Sequence, residues 1–288
     1  MASEPTSAPS TGGGANHGRI VIVAWIVLSL IATPLVAIYL GPIIPPGNGS
    51  AQGTEQVFDN QVMTSIVTPV VCLLLVYFVY VLGEFRAKAG STADGPPLRG
   101  DSRVQVFWVV GTSLTVLALA AFGTFELLQT GSGGGQGPSP IAYPAHHQDA
   151  FEVQVIGQQW EFTYRYPSLG GAESPQLVLP AHTDVVFHVT SLDVVHSFWA
   201  VELGIKADAN PGVDNVAYAE TNGPMTFHVR CAELCGLWHG YMFNNGEVVD
   251  SAQFQAWARG AEAQYAPIAK YVPKYAHTYF PDPQRRAG

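Results

Sequence analysis

Long apolar runs fill the first half of this chain, and short alternating segments fill the second. Residues 20–40, 62–83 and 104–128 are three runs long enough to cross a bilayer as helices. Each exceeds what a buried helix of a soluble domain needs. Pro42, Pro45 and Pro46 end the first run. From Phe151 onward the pattern changes: residues 151–156, 160–166, 176–179, 185–190, 197–201, 216–220, 225–230 and 246–249 suit strands, with Gly, Pro, Asp or Asn between most of them. Short strands punctuated in this way build a Greek-key sandwich or barrel. Residues 251–266 read as a helix that closes the domain. The fold expected is therefore a membrane-anchored α plus all-β chain. It divides into a disordered tail over 1–19, a membrane anchor over 20–128, a Gly- and Pro-rich linker over 129–145, a β-domain over 146–266 and a C-terminal tail over 267–288 with no assigned role.

The connectors set the orientation. Residues 41–61 hold Glu55 and Asp59 and no Lys or Arg, whereas 84–103 hold Arg86, Lys88, Arg99 and Arg103. The positive-inside rule then puts the second connector and the N-terminus in the cytoplasm, and everything after Leu128 on the far side of the cell membrane. Gly49-Ser50-Ala51 has the small-x-small pattern of a processing site. The run before it is longer than a usual signal core and its positive flank is thin, so the first helix is expected to be retained.

Composition adds to this picture. Of the 288 residues 48% are hydrophobic and only 12% charged, about half the usual charged share. The net charge of −9 falls mostly on the β-domain side, where residues 141–288 carry fifteen Asp or Glu against eight Lys or Arg. An acidic face steers a basic soluble partner and argues against nucleic acid. Cys72 lies in an apolar run, where it acts as a small hydrophobe. No Cys-x-x-Cys-His occurs, so no covalently attached haem is expected.

Chemistry concentrates in Cys231-Ala-Glu-Leu-Cys-Gly-Leu-Trp-His-Gly-Tyr-Met242. Cys231, Cys235, His239 and Met242 are spaced so that one turning loop can aim all four at one point. Two thiolates, imidazole nitrogen and a weak thioether suit copper in an electron-transfer site. A second imidazole is needed, and His196 in Ser191-Leu-Asp-Val-Val-His-Ser-Phe-Trp199 supplies one. A disulfide between Cys231 and Cys235 and a structural zinc on two Cys and two His are the alternatives. Neither accounts for Met242.

With the intervening Leu203-Gly-Ile-Lys-Ala-Asp-Ala-Asn-Pro-Gly212, these segments closely resemble subunit II of the haem-copper cytochrome c oxidases, over roughly Phe151 to Asp250. The resemblance implies a cupredoxin-like domain holding a binuclear copper centre, CuA. Cys231 and Cys235 would bridge the two copper ions and His196 and His239 would be terminal ligands. Met242 and the backbone carbonyl of Glu233 would be the weak ligands. The Glu233 side chain would share a magnesium ion with subunit I. Asp193, Lys206 and Asp208 lie in matching segments and read as interface residues or supports for the ligands. Electrons would come from cytochrome c and pass to haem in subunit I, where oxygen is reduced to water in a proton-translocating complex that includes other subunits.

Gly157-Gln-Gln-Trp160-Glu-Phe-Thr-Tyr-Arg-Tyr166 resembles the family's aromatic segment, in which Trp160 would be the first electron acceptor; Tyr164 and Tyr166 also match. The chain departs from the family at Glu161, where an aromatic is common, and at Phe162, where a second Trp is common. Taken without the resemblance, such an alternation reads as packing. Gln105 stands where the family often has the Glu of a proton path, so no proton-conducting residue is assigned. His146, His147, His182, His188 and His228 read as surface or satisfied histidines. Rival functions are the CuA subunit of a membrane nitric oxide reductase and, in another class, a copper-delivery or storage module.

Overall fold

The computed structural model describes residues 16–44, 47–86, 90, 100–130 and 149–271. The tail over 1–15, the basic residues Lys88 and Arg99, the linker over 131–145, His146, His147 and the tail from 272 lie outside the described residues. Those that are described form two units.

The first unit holds α1 (His17–Leu35) and the part of α2 (Ala51–Glu84) that begins at Gln61. Three side-chain contacts run along these helices in opposite directions. His17 Nδ1 meets the Tyr80 hydroxyl at 2.6 Å, Trp25 Nε1 donates to the Pro69 carbonyl at 2.8 Å and Gln61 Nε2 donates to the Ala37 carbonyl at 3.2 Å. These polar side chains of a mostly apolar pair thus find partners within it, which a bilayer favours. After Leu35 the chain continues as a π-turn and a 3₁₀ turn to Ile43. Pro34, which cannot donate a backbone bond, sits just before this change of winding.

The second unit holds residues 41–60, α3 (Ser102–Thr130) and the β-domain. Asp101 starts α3 by accepting the Arg103 backbone N–H on its carboxylate at 2.8 Å, a side-chain cap on an otherwise unpaired donor. The three expected spans are present as helices long and apolar enough to cross a membrane, at His17–Ile43, Ala51–Glu84 and Ser102–Glu126. The second starts well before the apolar run at Val62. Its polar first turns are helical because residues such as Ala51, Gln52, Glu55 and Gln56 favour helix whatever their hydropathy.

Among the described residues ten strands follow: β1 (Phe151–Gln158), β2 (Glu161–Tyr166), β3 (Ala172–Ser174), β4 (Leu177–Pro180), β5 (Asp184–Ser191), β6 (His196–Ala200), β7 (Ile205–Ala209), β8 (Asn215–Glu220), β9 (Met225–Cys231) and β10 (Phe243–Val249). β3 and β7 are additional to the expected strands. They pair into two five-stranded sheets, ordered β3-β2-β1-β5-β8 and β4-β10-β9-β6-β7. β1 runs parallel to β5 and β10 parallel to β4, and the other pairings are antiparallel. The inner faces share one core built on Tyr164, Tyr166, Phe187, Phe198 and Phe227, all fully buried. Phe198 sits at its centre, with ring centroids 5.8 Å from Phe162, 6.3 Å from Tyr164 and 5.6 Å from Phe187. Burying such a ring stabilises the fold by about 1.5–3 kcal/mol. The two tyrosines of this core keep their hydroxyls paired, Tyr164 to Asn244 at 3.1 Å and Tyr166 with the Val178 backbone N–H at 2.9 Å. α4 (Ser251–Tyr265) packs Phe254 and Ala258 on Val178, the closing helix that was expected. The cupredoxin-like sandwich thus follows the helices in the chain.

One further connection fastens this domain. Gly49 donates its N–H to the Glu202 carbonyl at 3.0 Å and accepts the Asn222 N–H at 2.9 Å, and Ser50 forms an isolated bridge with Thr221. The connector before α2 is thereby held by the turn after β6 and the turn after β8.

Candidate metal centre

Pairing between strands brings the two halves of the site together. β6 lies against β9 with Phe198 opposite Cys231, so His196 at the start of β6 and Cys231 at the end of β9 come to the same edge. The chain then leaves the sheet as a loop over 232–242. Its ends are held where Cys231 N–H donates to the Met242 carbonyl at 3.0 Å and Ala232 N–H to the Ser197 carbonyl at 2.9 Å. Inside the loop, His239–Tyr241 form a 3₁₀ turn that returns His239 and Met242 toward the cysteines.

The turn at Gly236 needs a backbone φ of +113°, a region closed to L side chains. A Cβ there would also lie 3.0 Å from the Gln159 amide nitrogen. That amide donates to the Cys235 carbonyl at 2.8 Å, and the Trp160 indole donates to the same oxygen at 3.2 Å. The β1–β2 turn, whose Gln159–Trp160 peptide is cis, therefore pins the loop from outside. Gly157 gives the His196 imidazole its space, because a Cβ on it would stand a tight 3.1 Å from the ring.

The candidate donor atoms lie near the two cysteine sulfurs. Cys231 Sγ lies 3.8 Å from Cys235 Sγ, 3.9 Å from His196 Nδ1 and 3.2 Å from the Glu233 carbonyl. Cys235 Sγ lies 3.6 Å from His239 Nδ1 and 3.7 Å from Met242 Sδ. Donors bound at metal–ligand lengths of about 2.0–2.3 Å around a tetrahedral ion stand roughly 3.3–3.8 Å apart. The separations of 3.6, 3.7 and 3.8 Å fall in that range and those of 3.2 and 3.9 Å lie just outside it, and His196, Cys231 and Cys235 form a group that could hold a metal ion, so the residues present fit the implied copper. The cysteines are unbonded to each other. Met242, 1% exposed, brings its thioether into the group, which a zinc site of nitrogen, thiolate and oxygen ligands does not call for.

Electrostatics favours a thiolate here. Burial pushes the Cys231 thiol up, but contacts from His196, the Ser197 and Glu233 backbone and His239 outweigh it and bring it down to about 6. Cys235 moves the other way, to about 12, because it is buried and next to the charge on Cys231. A bound cation would remove that penalty, since metal coordination deprotonates a thiol outright. Burial lowers His196, yet its contacts with Cys231 and Asp193 hold it above the ordinary value. Asp193, raised by burial, is lowered overall by donors from Gln159, His196 and Val194.

The family model described as cytochrome c oxidase subunit II, periplasmic domain, matches residues 172–249. Cytochrome c oxidase subunit 2 of Alkalihalophilus pseudofirmus is 26% identical over 214 residues, covering 73% of this chain and 60% of that protein. The chain thus spans less than two thirds of that relative's length. Subunit 2 of Thermostichus vulcanus is 25% identical over 286 residues, covering 83% of this chain and 85% of its own. The chain is similar to cytochrome c oxidase subunit II, and its residues 172–249 match the periplasmic domain of that family. Among solved structures, the periplasmic domain of subunit II of Bradyrhizobium japonicum cytochrome oxidase is 28% identical, covering 40% of this chain and 96% of that one, with a TM-score of 0.39.

The stretch matched by the subunit II model contains His196, Cys231, Glu233, Cys235, His239 and Met242, and stops short of Trp160. Trp160 nevertheless lies against the site through its bond to Cys235. Phe162, where the family commonly has a second Trp, is buried edge-on to the His196 ring at 6.2 Å. Tyr164 and Tyr166 belong to the core, so their resemblance to the aromatic segment is one of packing. Asp193 sits behind His196 as a support, while Lys206 is exposed on β7. The Glu233 side chain is exposed, and among the described residues no carboxylate cluster forms around it. His188 and His228 are satisfied by Asp214 and Glu202. Sequence reasoning overlooked Gly157, Gln159 and Trp238. Their only signal is nearness in sequence to a ligand or to Trp160, and the fold supplies the rest.

Proposed function

We propose that this chain is the electron-accepting subunit of a haem-copper cytochrome c oxidase, taking one electron at a time from cytochrome c and passing it to haem in subunit I, where oxygen is reduced to water. When bound, a binuclear CuA centre supplies a one-electron couple shared between two coppers and two sulfurs. Cys231 and Cys235 would bridge it, His196 and His239 would ligate through Nδ1, and Met242 and the Glu233 carbonyl would be the weak ligands. The observation that carries this proposal is the convergence of Met242 Sδ, two imidazole nitrogens and a backbone carbonyl on one pair of free cysteines.

The chain's own residues keep the donors still. The sheet edge fixes His196 and Cys231, the bonds from Gln159 and Trp160 fix Cys235, and Asp193 fixes the His196 ring. A relay that moves little between oxidation states has a low barrier, and a rigid support of this kind tunes such a site. The Glu233 carboxylate would contribute to a magnesium ion only with oxygen ligands from subunit I.

The chain is placed in the cell membrane with its N-terminus in the cytoplasm and the β-domain outside. Capture of the first connector by the β-domain supports this, because both then lie on one side of the bilayer. Electron paramagnetic resonance of the purified full chain loaded with copper tests the function. Hyperfine splitting from two equivalent copper nuclei, lost in Cys231→Ser and Cys235→Ser, is expected. Splitting from a single nucleus overturns the assignment.

A further inference from the structure

Trp160 is not the outermost aromatic of the site. The Trp238 ring stands edge-on over it, with centroids 6.5 Å apart and planes at 76°, and Tyr241 backs Trp238 in turn at 5.5 Å and 67°. Trp160 is only partly exposed and its indole N–H is committed to the Cys235 carbonyl, whereas Trp238 is 48% exposed. Trp238 is also held in place, since its carbonyl accepts the Tyr241 N–H at 2.9 Å and it begins the 3₁₀ turn of His239. It is joined covalently to one candidate ligand, His239, and through Trp160 it reaches another, Cys235.

We propose that Trp238, not Trp160, is the first side chain of this domain met by an incoming electron. This rests on the assignment of a copper site fed by cytochrome c. The surface around Trp238 suits such a donor. Leu234, Leu237 and Tyr241 of the same loop and Phe243 just after it are all more than half exposed, Glu233 in that loop is exposed as well, and Arg230 lies 5.1 Å over the Phe243 ring. An apolar contact with a carboxylate beside it, on a domain side that is acidic overall, matches a carrier whose redox edge is apolar and whose surround is basic. In the step itself one haem iron goes from ferrous to ferric, the metal site gains that one electron, no bond is made or broken and no proton moves. Trp238 supplies contact and orbital coupling and ends the step unchanged.

The test uses the assembled oxidase with Trp238→Ala, Trp238→Phe and Trp160→Ala, mixed rapidly with reduced cytochrome c. Donor binding, followed by titration with oxidised cytochrome c, and the copper resonance spectrum serve as separate readouts. For Trp238→Ala we expect electron uptake at saturating donor to fall about tenfold, or 1.4 kcal/mol of barrier. The copper spectrum stays as in the wild type, and Trp238→Phe recovers much of the rate. The role is overturned if Trp238→Ala leaves the saturated rate unchanged, whether or not binding weakens, or if Trp160→Ala alone accounts for the whole loss. A wild-type spectrum without paired copper nuclei would instead remove the functional assignment beneath it.

Discussion

Nε2 of His196 lies 2.8 Å from Oδ1 of Asp193, while Nδ1 of the same ring faces Cys231 Sγ at 3.9 Å. With Nδ1 given to a metal, Nε2 carries the proton and donates it to the carboxylate, which fixes both tautomer and ring orientation. The carboxylate is itself fixed by the Gln159 backbone N–H at 2.7 Å and the Val194 N–H at 2.6 Å. Asp193→Ala removes all of this and is expected to weaken copper binding by about 10–100-fold. Asp193→Asn keeps an acceptor without the charge and should fall between. Competition against a chelator of known affinity measures both, with circular dichroism to show that the sheets survive. Equal affinity in Asp193→Ala and wild type would refute the support role.

Gly236 is the position at which the ligand loop is least able to accept a side chain. Gly236→Ala forces a residue with a Cβ into φ near +113° and against the Gln159 amide. The backbone alone costs about 1–3 kcal/mol. Displacing Gln159 frees the Cys235 carbonyl from one of its two donors. Thermal unfolding of the detergent-solubilised chain should show a lower midpoint, and copper affinity should fall with it. An unchanged midpoint would mean that the loop reaches its shape by another route.

Away from the site, His188 Nδ1 sits 3.0 and 3.1 Å from the two carboxylate oxygens of Asp214. Burial lowers the pKa of this imidazole, but Asp214 and, further off, Glu152 raise it above the ordinary value overall. A group whose folded pKa is raised stabilises the fold fully below its unfolded pKa, about 6.5, and that stability disappears as pH climbs through the folded value. The unfolding midpoint should therefore fall as pH rises from below about 6.5 into the alkaline range. His188→Gln should flatten the part of this slope due to the pair. If the mutant and wild-type slopes coincide, the pair does not titrate with folding.

What the sequence made legible follows from where the physics is local. The candidate loop stood out because it is short and soft donors are few elsewhere, so Cys231 to Met242 drew notice as a group. The spans could be read from hydropathy, but hydropathy measures preference for lipid and not helicity, which is why α2 begins at Ala51 and not at Val62. β7 escaped notice although Ile205, Ala207 and Ala209 are buried in strict alternation, because alanines give alternation little contrast. β3 is too short to carry a pattern. Trp238 could not be singled out at all. Its meaning depends on Trp160, which lies far off in the chain and arrives only when the β1–β2 turn folds against the loop.

The connector before α2 offers a last test, and it separates stability from chemistry. Ser50 is fully buried; its hydroxyl donates to the Leu203 carbonyl at 2.6 Å and accepts the Gly53 N–H at 2.9 Å. These contacts hold the turn between β6 and β7, while Asn222 on the turn between β8 and β9 binds Gly49 and Asn48. β6 carries His196 at its opposite end, and β9 carries Cys231 at its opposite end. The clasp thus grips the two ligand-bearing strands at the ends away from the metal. Ser50→Ala leaves a buried carbonyl and a buried N–H without their partner, a cost of about 1–3 kcal/mol. Hydrogen exchange should quicken in the turns over 201–204 and 221–224. The copper spectrum should hold, because the donors lie a strand's length away, about 3.3 Å for each residue. Should the spectrum broaden while those turns stay protected, the clasp would be acting on the ligands by some path other than these strands.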